Sequence, residues 1–93
     1  MLIRSQNREV LINLNSMAGT EIAEGPIKTI ITSYITGCSY LLGEYSDKAK
    51  AMKVLDMIQE AYSEYQIMLN FSVSYLHEFK EKTDGFAIFQ MPE

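Results

Sequence analysis

His77 and Glu81 stand four residues apart with Glu78 beside them, a spacing that puts metal-type ligands on one face of a helix. Protein metal sites use three or four ligands held by a supporting shell. The chain has a single histidine, so a solvated His77 near a helix end is the expected reading. Cys38 is the only thiol. Nucleophilic use would need a positioned base and an electropositive setting; the sequence supplies neither, and Cys38 reads as a small turn or core residue. Asp56, Glu60 and Glu64 recur every four residues. Paired acids do acid–base work when burial separates their pKa values. Here they read as the wet face of a helix, with Lys53 and Asp56 an i,i+3 pair. No P-loop, dinucleotide fingerprint, nucleophile elbow or paired-cysteine motif occurs. The expectation is a non-enzymatic chain with no cofactor and no metal.

Six tyrosines (Tyr34, Tyr40, Tyr45, Tyr62, Tyr65 and Tyr75) and no tryptophan are the other chemical signature. Tyrosines line ligand clefts and interfaces. Tyr62 and Tyr65 fall on a helix seam, which favours core or interface rim over a ligand site.

The elements that must carry these residues divide the chain in two. Residues 1–46 read as strands. Leu2 to Ser5 and Val10 to Leu14 are β-prone runs joined by the polar loop Gln6–Glu9. Asn13, Asn15 and Ser16 then fray the ladder. Thr20 to Ala23 forms a short strand before the Gly25-Pro26 turn. Ile27 to Ile35 carries apolar groups on both faces and is expected to be central. Gly37-Cys38 reverses the chain into Ser39–Tyr45, where Gly43 marks a bulge or a close backbone approach.

From Asp47 to Lys82, 36 residues contain no glycine or proline. Apolar spacing predicts one helix with Ala51, Leu55, Ile58, Tyr62, Tyr65, Leu69, Ser72, Leu76 and Phe79 facing inward. Ser46 is the expected N-cap and Asp47 suits the positive end of the dipole. Lys80, Lys82 and Asp84-Gly85 mark the stop. Phe86 to Met91 alternates as a terminal strand before Pro92. The predicted fold is a single α+β domain over 1–93, ordered β-β-(β)-β-β-α-β. Four to six short strands form an antiparallel sheet, the long C-terminal helix crosses it, and the final strand returns.

Such a helix would run ~54 Å, whereas six-residue strands span only ~20 Å. The sheet can cover about the first four turns, Ala49 to Tyr62. Beyond it, Gln66 to Leu76 holds eleven residues without a charge, among them Ile67, Met68, Leu69, Phe71, Val73, Tyr75 and Leu76. Three courses fit: pairing with the same helix in a second chain, a break near Asn70–Ser74 with a fold-back, or a strand in which Phe71, Val73 and Tyr75 alternate. The absence of helix breakers favours the first. The expected contact surface is Tyr65, Met68, Leu69, Phe71, Ser72, Tyr75, Leu76 and Phe79; an exposed edge strand is the second candidate surface.

Charge and composition bound the partners. The net charge is −4, with the only cationic cluster at Lys48, Lys50 and Lys53, diluted by Asp47 and Asp56. Nucleic-acid binding needs a cationic surface to neutralise phosphates, so it is not expected to lead. Tyr65 to His77 is too short and too polar for a membrane span. The opening Met1-Leu-Ile-Arg-Ser lacks the pattern of a secretion signal, and one cysteine suits a reducing cytoplasm.

Three stretches, Met1 to Asn15, Leu42 to Ile58 and Phe89 to Glu93, resemble a group of small uncharacterised proteins from Gram-positive bacteria and their mobile elements. The resemblance covers somewhat over a third of the chain. It implies a strand-rich N-terminal half, a helix after the Gly43 strand, and a terminal strand. It implies no catalytic or binding residue. Residues 66–82 depart from the group's pattern, which puts a shared oligomeric state in question. Together these readings predict a cytoplasmic homodimeric interaction or accessory module, with a nucleic-acid-associated regulator from a mobile element as the alternative.

Overall fold

The computed structural model describes residues 1–69 and 88–93. They form an α+β arrangement of strands β1 (Leu2–Arg4), β2 (Leu11–Asn13), β3 (Gly19–Glu24), β4 (Thr29–Ile35) and β5 (Cys38–Tyr45), helix α1 (Lys48–Leu69), and strand β6 (Ile88–Gln90). The expected order is present. The strands make two three-stranded sheets, β2-β1-β6 and β3-β4-β5, where one continuous sheet was the simplest expectation. β6 returns to β1, pairing parallel to it with Ile3 beside Phe89.

The division between the sheets has a local cause. After β2 the Asn13 side chain accepts the Asn15 amide at 3.1 Å, and a 3₁₀ turn over Leu14–Ser16 ends the ladder. Asparagine offers the backbone this alternative to strand pairing. The Gln6–Glu9 loop is held the same way. Buried Ser5 donates to Asn7 Oδ1 and accepts the Val10 amide, while Asn7 Oδ1 also takes the Glu9 amide. Arg8 sits at φ +68° between them, a left-handed position that a tight loop must impose on a residue with a Cβ.

β4 is central, as its two-sided apolar pattern predicts. Its pairing with β5 slips between Ile31 and Thr32, where Ile31 faces Gly43 and Thr32 faces Leu41. Leu42 is the extra residue, a β-bulge. The bulge buries Leu42 and sets Gly43 beneath the Tyr45 ring.

The core lies between the two sheets and α1. It contains Met1, Ile3, Ile12, Ile31, Leu42, Tyr45, Ala51, Val54, Ile58 and Met91. Helix α1 packs on the β3-β4-β5 sheet. Its buried line is Ala51, Val54 and Ile58, continued by partly buried Ala61, Tyr62 and Tyr65. Val54 therefore takes the fully buried place expected for Leu55, which is half-buried beside it. A 3.6-residue period admits either start, and the sheet selects the one beneath it.

The N-cap is Asp47, one residue after the expected Ser46. Its Oδ1 accepts the Lys50 amide at 2.8 Å and its carbonyl accepts the Ala51 amide. A carboxylate both satisfies an orphan donor and meets the dipole, so it outcompetes the hydroxyl before it. Asp47→Ala is expected to cost about 1 kcal/mol of stability in urea unfolding, while Ser46→Ala leaves it unchanged.

The sequence assignments over 70–87 lie outside the described residues. These are the helix from Asn70 to Lys82, its stop at Asp84-Gly85, and the first residues of the terminal strand.

Candidate interaction surface

Helix α1 spans 22 residues in the described chain, about 33 Å at 1.5 Å per residue. The longest strand beneath it, β5, has eight residues and reaches about 27 Å. Two residues link the end of β5 to α1, so the helix starts beside Tyr45. Tyr65 packs against the core and Met68 is half-buried, whereas Ile67 is 57% exposed and Leu69 48% exposed. Of the expected contact residues, Tyr65, Met68 and Leu69 lie at the end of the described part of α1. Phe71, Ser72, Tyr75, Leu76 and Phe79 lie outside the described residues. Ile67, one position off the expected seam, is the most exposed apolar group on α1. Its place in an uncharged run signalled it, although the inward spacing did not.

A second site of dense geometry joins the two sheets. The Gln6 amide donates to the Leu42 carbonyl at 2.7 Å, and the Gln6 Oε1 accepts the Glu44 amide at 2.9 Å. Gln6 Nε2 donates to the carbonyls of Glu44 and Pro92. The Gln6 carboxamide thereby acts as a peptide group on the open edge of β5, beside the bulge. Pro92 O also accepts the Tyr45 hydroxyl at 2.8 Å, and Gln90 Nε2 donates to Ser5 O at 2.9 Å. Burial pushes the Tyr45 phenol above its usual pKa. A cleft of about 290 Å³ lies alongside, lined by Gln6, Val10, Leu41, Leu42 and Glu44 among others. Every buried side-chain polar atom among the described residues has a partner. This junction is a fully satisfied seam that fixes the C-terminal tail. Sequence reading missed Gln6, because a lone loop glutamine carries no signal before its neighbours are known.

The other candidate residues do not converge. Cys38 is exposed at the start of β5, and a hydrogen bond with its side chain pushes the Tyr40 phenol up. Asp56, Glu60 and Glu64 are exposed, as the wet-face reading predicts. Among the described residues no three His, Cys, Asp or Glu side chains gather as a metal site. His77, Glu78 and Glu81 lie outside them. Lys48 Nζ meets Glu24 Oε1 at 3.2 Å, which removes one charge from the cationic cluster and leaves exposed Lys50 and Lys53. No helix among the described residues is long and apolar enough to cross a membrane.

No protein-family model, curated protein or solved structure matches this chain. The functional reading therefore rests on the geometry of α1 and of the strand edges.

Proposed function

We propose that this chain is a non-catalytic interaction module of the bacterial cytoplasm that works as a homodimer, with the distal end of α1 as its contact surface. The observation that carries the reading is the exposure of Ile67 and Leu69, 57% and 48%, at the end of the described part of α1. Burying a leucine or isoleucine is worth about 1.5–3 kcal/mol, so covering several such side chains in a symmetric contact supplies a driving force for pairing. The resemblance of residues 1–15, 42–58 and 89–93 to small Gram-positive proteins fits the same setting.

Light scattering at tens of micromolar tests the proposal. The wild type is expected at twice the chain mass, and Leu69→Glu is expected to weaken pairing by tenfold or more without changing the secondary structure. A monodisperse wild-type monomer would overturn the reading. Under the alternative, a regulator bound to nucleic acid, Lys50 and Lys53 would carry the phosphate contacts. A mobility-shift series would then show affinity falling steeply with salt. The Lys48–Glu24 pair and the net charge of −4 speak against it.

A further inference from the structure

The strand edges differ in how they end. β2 and β6 are three residues each. β5 is distorted by its bulge and closed at Leu42 and Glu44 by Gln6. β3 is six residues long, and among the described residues β4 is its only partner. An open edge of that length is a template for strand addition.

The direction of its free groups follows from the turn beside it. The Gly25 amide donates to the Lys28 carbonyl at 2.8 Å, which makes Gly25–Lys28 a hydrogen-bonded pair of the β3–β4 ladder. Antiparallel pairs alternate. In the observed register, Ala23 with Ile30 and Glu21 with Thr32 are then the bonded pairs. The amides and carbonyls of Thr20, Ile22 and Glu24 point away from β4.

We infer that the open edge of β3 pairs antiparallel with β3 of a second copy, about a two-fold axis at Ile22. The inference rests on the homodimer reading and places its two-fold contact at the β3 edge in place of the distal end of α1. This register sets Ile22 against its copy and Thr20 against Glu24 on both sides of the axis, engaging all three outward residues of each strand. It sets Glu21 against Ala23, so neither glutamate faces a glutamate. Centring the axis on Glu21 or Glu24 would oppose like charges directly, which destabilises a strand pair. Centring it on Ala23 would leave Thr20 unpaired. The sequence of this edge is self-complementary in one register. The paired strands would join two β3-β4-β5 sheets into one of six strands, with both copies of α1 on the same face.

Ala23 provides the test, because it is exposed and its side chain is absent from the core. Ala23→Glu places two glutamate pairs across the axis and is expected to weaken dimerisation by about three- to thirtyfold in sedimentation equilibrium. Ala23→Lys places two lysines opposite Glu21 and is expected to strengthen it. Glu21→Lys added to Ala23→Glu is expected to reverse the loss and strengthen dimerisation as Ala23→Lys does. A wild-type dimer indifferent to both Ala23 substitutions would overturn the strand contact while leaving the α1 surface standing. A wild-type monomer would remove both readings.

Discussion

Gly43→Val is expected to cost roughly 2–4 kcal/mol of folding stability. Even the first carbon of a side chain at position 43 would lie 2.8 Å from the Tyr45 hydroxyl and about 3.0 Å from its ring carbon Cε2. That is too close for contact, so the ring must move. Tyr45 is buried in the core, and its hydroxyl donates to Pro92 O. Displacing it breaks that bond and loosens the packing of Met91 and Leu42 together. Urea unfolding measures the loss as a lower midpoint. A double-mutant cycle with Tyr45→Ala assigns the cause: the valine should cost much less once the ring is gone. An equal cost in both backgrounds would place the strain in the β5 backbone instead.

Ile31→Ala should destabilise the chain by about 2–5 kcal/mol. Ile31 is completely buried in β4, opposite Ile22 on one side and Gly43 on the other. Its place in the central strand, under α1, gives the surrounding backbone little freedom to collapse into the cavity. For a chain of 93 residues, each kcal/mol lowers the melting temperature by about 4–8 °C. Ile27→Ala is the matched control. Ile27 is 85% exposed just before β4, and its loss should change stability by no more than about 0.5 kcal/mol. Calorimetry of the two variants separates a core isoleucine from a surface one that composition alone treats alike.

Much of this architecture was readable from local chemistry. Gly25-Pro26 and Gly37-Cys38 mark the two reversals that build β3-β4-β5, and the two-sided apolar run at Ile30 and Ile31 places β4 in the centre. Gly43 gave the position of the bulge to within one residue. These signals are short-range: a turn or a bulge is decided by the residues in it. Asn13, Asn15 and Ser16 signalled where the β2 ladder ends, but the parallel pairing of β6 with β1 was not legible, because it joins the two ends of the described chain. The cap moved by one residue because Ser46 and Asp47 are both good caps, and the carboxylate, which also meets the dipole, takes the Lys50 amide. Leu69, on the predicted inward line of the helix, is 48% exposed. The direction in which the β3 edge offers its amides needed the register.

The Ser5–Gln90 and Gln6–Pro92 bonds bridge 85 and 86 residues of sequence. Such distant closure is slow, since its entropy must be met before the contacts return anything. During synthesis the β1–β2 hairpin emerges before residues 88–92 and must wait for them to leave the ribosome before its sheet is whole. In that interval β1 has an open side and the pocket for Met91 is empty. Residues 88–92, made long after β1, complete the sheet that β1 begins.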